Sequence, residues 1–190
     1  IVTGREQSTL EKAAEDISTG RHAVDPVVCD VADESAITAA VDSVIERFGR
    51  IDTLINVAGV NIRKPAAEFT AEQFDFVLDV NLRGAFLMAQ QAGRHMREQG
   101  SGSVINIDSP LTNVTPYAMS KCGLQGMTQG LAREWGPSGV RVNGLAPGFI
   151  LTDLTRQLWS DPTMQEWGVF NTPLGRLGTP EDLVGTAVFL

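Results

Sequence analysis

Short apolar runs alternate with longer segments of helical period along this chain, an order that fits a parallel sheet covered by helices. Ile1-Val2 reads as the end of a strand, and Val27-Val28-Cys29, Leu54-Ile55-Asn56, Val104-Ile105-Asn106-Ile107 and Val140 to Leu145 read as further buried strands. Between them, Leu10, Ala13, Ala14 and Ile17 form one helical stripe and Ile37, Val41, Val44, Ile45 and Phe48 another. Thr70 with Gln73 has the form of a capping box, so a helix starts there. Beyond Gly100-Ser101-Gly102, a helix carrying Tyr117 runs to about Trp135, and a last helix starts at Thr179 with Pro180 in its first turn. The expected fold is α/β, a doubly wound parallel sheet in three layers, with residues 1–190 forming a single domain.

Charge narrows the partners. A net charge of -8, with no tract that clusters the basic residues, argues against a nucleic-acid or anionic-membrane surface. A small-molecule substrate fits better. Cys29 and Cys122 lack the spacing of a disulfide framework or a zinc site, and His22 and His95 belong to no ligand cluster, so no metal is expected. No apolar run reaches the roughly 18 residues of a membrane span and no signal peptide is evident, which gives a cytoplasmic expectation.

In open parallel sheets, ligands bind at the carboxyl ends of the strands. Small and polar residues recur there: Thr3-Gly4, Asp30-Val31, Asn56 to Gly59, Ser109 and Pro147-Gly148. Close backbone approach to a cofactor needs such residues. Tyr117, the only tyrosine, and Lys121 stand four apart, which on a helix puts an ammonium beside a phenol. A phenol with a pKa of about 10 needs such a neighbour to exchange protons near neutral pH. The pair reads as a tuned acid/base.

These residues, in this order, resemble the short-chain dehydrogenase/reductase family, whose members bind a nicotinamide dinucleotide on a Rossmann-type sheet. The matches are Thr3-Gly4, Asp30, Asn56-Val57-Ala58-Gly59, Asn81, Ser109, Tyr117 with Lys121, and Pro147-Gly148. The resemblance implies Tyr117 as general acid/base at the substrate oxygen, with Lys121 lowering its pKa and holding the nicotinamide ribose. It implies Ser109 as a hydrogen-bond donor to that oxygen, and Asn81 as the holder of a water linking Lys121 to solvent. Cofactor contacts would come from Thr3, Gly4, Asp30, Val31, Asn56, Ala58, Gly59, Tyr117, Lys121, Pro147, Gly148, Ile150 and Thr152. The implied cofactor is NAD or NADP, with Arg5 expected near the adenosine 2′-position, and the family commonly forms homotetramers through the helices around Asn81 to Met96 and Tyr117 to Trp135.

The sequence departs from the family in two places. Thr3-Gly4 runs straight into Arg5-Glu6-Gln7 without the remaining glycines of the phosphate loop, and Ser109 lies eight residues before Tyr117, closer than is usual. Segments near 4/5 and 109/110 and a C-terminal end are therefore expected to be missing. Asn61 to Pro65 looks like the matching stretch of gluconate 5-dehydrogenases and deoxygluconate dehydrogenases, so Arg63 would clamp a sugar-acid carboxylate. Leu151 to Val169, with Trp159 and Trp167, would form a lid. The alternatives are a 3-oxoacyl-carrier-protein reductase type, with the same catalytic set, and a non-catalytic cofactor-binding relative.

Overall fold

The computed structural model describes every residue except Thr19, Arg21 and 110–113, and the side chains of Asp153 and Leu154. Five parallel strands are flanked by helices, as the alternating pattern requires. Strand β1 (Val2–Gly4) leads through α1 (Gln7–Ile17) to β2 (Pro26–Val28), its hydrogen-bonded neighbour, in the register Val2 with Pro26. Helix α2 (Glu34–Phe48) connects to a second sheet, ordered β3 (Thr53–Asn56), β4 (Gly102–Ile107), β5 (Val140–Leu145). Thr53 faces Ser103 and Gly102 faces Val140.

Local chemistry sets the helix ends. Asp33 caps α2 by accepting from Ser35 N at 2.8 Å, and Thr70 and Gln73 form the expected capping box of α3 (Ala71–Leu78). A widened turn over Asp79–Gly84 joins α3 to α4 (Ala85–Gln99), which is followed across β4 by α5 (Thr115–Trp135). After β5 come α6 (Asp153–Trp159), α7 (Pro162–Phe170) and α8 (Glu181–Phe189), with Pro180 already helical and Asp182 N donating to Thr179 O at 3.1 Å, as expected of a helix that opens at Thr179.

Helix α4 is the keystone of the core. Ala89, Ala92 and Met96 pack on Val104, Val140 and Val142 of the sheet and on Leu131 and Trp135 of α5. Leu87 and Met88, one side further round, pack on Cys29 and on Ile37, Ala40 and Val41 of α2. Leu54 and Ile51 touch both groups, so one continuous apolar layer backs both sheets. Burial of each such large side chain stabilises by about 1.5–3 kcal/mol.

Two expectations change here. The strands of residues 27–29 and 54–56 are not fully buried: Val28 is 51% exposed and Ile55 48%. Ile55 alternates with Leu54, whose face α4 covers, and among the described residues nothing pairs with the outer edge of β3. Ile17 and Phe48, the last residues of their helical stripes, are likewise exposed at the helix ends.

Candidate active site

Pro116, in the first turn of α5, favours a helix start, and Ala118 N donates to Val114 O at 2.8 Å. One turn of that helix brings Lys121 beneath Tyr117, with Nζ 5.8 Å from the ring centroid. Lys121 is buried at 5% exposure, and Nζ donates to the carbonyl of Ile107, at the end of β4, at 2.6 Å. Burial pushes its pKa down from the ordinary lysine value, and the nearby charge of Asp108 works against that fall. Tyr117, on α5, and Ser109, two residues beyond the end of β4, are both half-buried.

Asn81 lies fully buried inside the widened turn between α3 and α4. Its Oδ1 accepts from Val60 N at 2.7 Å, and its Nδ2 donates to Val60 O at 2.9 Å and to Ser120 Oγ at 3.1 Å. Ser120 Oγ in turn donates to Tyr117 O at 2.7 Å. The loop after β3, the widened turn and α5 are therefore held by one amide and one hydroxyl. Gly84 closes the same turn against the loop after β2, where a Cβ would come 2.5 Å from Val31 O.

The structure brings Asn81, Tyr117 and Lys121 together and sets Ser109 two residues past the carbonyl that holds Lys121. Gly59 belongs to the same place: a Cβ there would stand 3.6 Å from Asn81 Oδ1 and 3.9 Å from Lys121 Nζ. Ala58 beside it is exposed, as is Gly148, above which a Cβ would meet nothing within 4 Å. Pro147 precedes it, half-buried. Ile150 and Thr152 anchor the following segment: Ile150 bridges to Gly178, its carbonyl accepts from Thr155 Oγ1 and Trp159 Nε1, and Thr152 caps α6.

Other candidates stand elsewhere or do something different. Asn56 turns its amide inward, donating to Asn106 Oδ1 at 2.9 Å and to Ala85 O at 3.3 Å, and Asn106 donates on to Thr128. That chain ties β3, β4, α4 and α5 together beneath the site. Asp30 forms a turn by accepting from Ala32 N at 2.9 Å, with Val31 next to it. Thr3 and Gly4 lie on β1, in the other sheet. Arg63 is exposed on the loop after β3, four residues past Gly59. In the expected lid, Trp159 is buried and Trp167 half-exposed, both against Phe149.

Ser120 and Asn106 escaped the sequence reading. Ser120 sits three residues after Tyr117, on the same helical face, and Asn106 is the one polar residue inside Val104–Ile107. Both positions are signals, since a polar side chain on a buried face needs a partner.

These residues fit the ribose and nicotinamide end of a dinucleotide: a buried ammonium, a phenol and a hydroxyl, with Gly59 beside them. The phosphate end is not built by them, because α1 opens on Glu6-Gln7 with no glycine beyond Gly4. Among the described residues, no group of three His, Cys, Asp or Glu side chains could hold a metal ion.

Comparison with known proteins gives a consistent answer. The family model described as enoyl-(acyl carrier protein) reductase matches residues 1–190. A gluconate 5-dehydrogenase of Gluconobacter oxydans is 34% identical over 195 residues, taking in all of this chain and 76% of that protein. A 3-oxoacyl-[acyl-carrier-protein] reductase of Thermotoga maritima is 37% identical over 172 residues, 88% of this chain and 69% of that one. The crystal structure of a gluconate 5-dehydrogenase from Burkholderia cenocepacia, in complex with NADP and tartrate, superposes with a TM-score of 0.92 at 36% identity, over 100% of this chain and 76% of that one.

Proposed function

The chain belongs to the short-chain dehydrogenase/reductase family, and on that premise we propose that it interconverts a secondary alcohol and a ketone of a sugar acid such as gluconate, with NAD or NADP. The single observation that carries the reading is the joint placement of Tyr117, Lys121 and Asn81 through Ser120. A scaffold without turnover has no use for a buried ammonium beside a phenol.

In the oxidation direction, the substrate hydroxyl gives its proton to Tyr117, and Lys121, charged beneath the ring, favours the phenolate that accepts it. Ser109 hydrogen-bonds the same oxygen and fixes its orientation. Asn81 holds the Tyr117 helix to the loop after β3, and through that loop Gly59. The bound nicotinamide supplies the hydride acceptor or donor, and the chain supplies orientation and the proton. Arg63, exposed and able to offer two parallel bonds, is assigned to the substrate carboxylate.

Support for a sugar acid comes from the gluconate 5-dehydrogenases among the relatives, one of them holding tartrate, a small hydroxy acid. The same reading assigns the phosphate cradle to segments of the protein outside these residues, which suits a sheet open between β1 and β3. Arg5, directly after β1, is placed near the adenosine. A second copy is assigned to the outer face of α4 and α5, where Phe86 is 39% exposed and Met119 49%, and light scattering tests that assembly. Free thiols at Cys29 and Cys122 suit a cytoplasmic setting.

A panel of gluconate, other sugar acids, neutral polyols and a 3-oxoacyl thioester, each offered with both coenzymes to the full-length protein, tests the reading. Turnover highest on sugar acids supports it. Turnover only on the thioester moves the assignment to the acyl-reductase branch.

A further inference from the structure

Residues 172–179 run as a strap between α7 and α8. Gly175 turns it at φ 66°, an angle that favours glycine, and donates its N–H to Thr172 O at 2.8 Å. Three residues on, the strap meets the segment that leads from β5 to α6. Gly178 N donates to Phe149 O and Leu151 N donates to Gly178 O, each at 2.8 Å, so the backbone is held on either side of Ile150. A Cβ on Gly178 would come 2.6 Å from Ile150 Cδ1, which shows how closely the two lie. On its far side the same segment meets α6, because Ile150 O accepts from Thr155 Oγ1 and Trp159 Nε1.

One carboxylate fixes the strap before and after that contact. Asp182, in the first turn of α8, accepts from Arg176 Nη1 and Nη2 at 2.7 Å each and from Thr179 N at 2.8 Å. Arg176 Nη1 also donates to Leu177 O at 3.1 Å. Two parallel bonds set the orientation of a guanidinium as well as its distance. Both side chains are exposed, so the pair adds little to global stability and its effect is local. We propose that Arg176 and Asp182 are positioning residues, a brace that holds Gly178 against residues 149–151 and so fixes Ile150 and Thr152 for the nicotinamide end of the coenzyme.

The inference rests on reading Ile150 and Thr152 as cofactor contacts, but its first test needs no coenzyme. Amide hydrogen exchange in the full-length protein reports Gly178 N and Leu151 N directly. Arg176→Met removes the guanidinium and leaves Thr179 N its acceptor. Both amides are expected to lose most of their protection, while Val104 and Val142 in the sheet keep theirs. The dissociation constant of NADH or NADPH, read from nicotinamide fluorescence, should rise about threefold, the result of a segment in place in about one molecule in three. Arg176→Lys, which keeps the charge without the fork, should fall between parent and methionine variant in both measurements.

Protection at Gly178 and Leu151 equal to the parent's overturns the inference, and so does lost protection with the coenzyme bound as tightly as before. Asp182→Asn repeats the test if the methionine variant does not fold. Lost protection in a protein whose parent binds neither coenzyme supports the brace and overturns the proposed function instead.

Discussion

The hydroxyl of Ser120 donates to the carbonyl of Tyr117 at 2.7 Å while accepting from Asn81. Ser120 is fully buried, so the bond joins two elements of the site in a place no substrate reaches. Ser120→Ala is expected to cost about 1–2 kcal/mol of stability, the usual result of stranding a buried donor. Loosening the link should also lower kcat by roughly tenfold with little change in KM, because the proton-transfer geometry alone suffers. Denaturant unfolding and steady-state kinetics check the two effects.

Lys121→Met should abolish turnover without abolishing the fold. Because burial depresses the pKa of Lys121, the unfolded chain binds more protons than the folded one between the folded-state pKa and the ordinary lysine value. The stability of the parent protein therefore rises with pH through that window, whereas the methionine variant lacks this rise. Thermal unfolding followed from neutral pH to about pH 10 should show the parent gaining on the variant.

Gly84→Ala tests the close approach of the widened turn to Val31. A Cβ 2.5 Å from a carbonyl oxygen forces the backbone to shift, at a cost of about 1–3 kcal/mol. Since Asn81 lies in that turn, activity should fall with stability, whereas Gly126→Ala, in open space in the interior of α5, should leave activity unchanged and raise stability by about 0.5–1 kcal/mol.

Arg63→Ala tests the carboxylate clamp. A charge-assisted bond contributes about 1.5–3 kcal/mol, so KM for a sugar acid should rise roughly 10- to 100-fold, while KM for a neutral polyol should not move. Equal losses on both substrates would remove Arg63 from the substrate site.

Local signals carried much of the fold. The strand over Val140–Leu145, the Thr70–Gln73 capping box and the helix ending at Trp135 lie where periodicity and capping chemistry put them, because neighbours in sequence decide each one. The widened turn over Asp79–Gly84 was not legible, since one extra residue in a turn leaves the apolar pattern nearly unchanged. The exposure of Ile55 was hidden for another reason: an apolar strand residue looks the same whether or not its face is covered. Tyr117 and Lys121 could be paired from spacing alone, but the partners of Lys121 and Asn81 lie 14 and 21 residues away and needed the fold.

The central claim is that Tyr117 moves the proton in a nicotinamide-dependent oxidation. Absorbance of the reduced coenzyme, with the full-length protein, gluconate and NAD or NADP, tests it when Tyr117→Phe is measured beside the parent. The parent should turn over, and the variant, with Lys121 still in place, should lose at least about 100-fold in kcat. A phenylalanine variant that matches the parent would contradict the assignment.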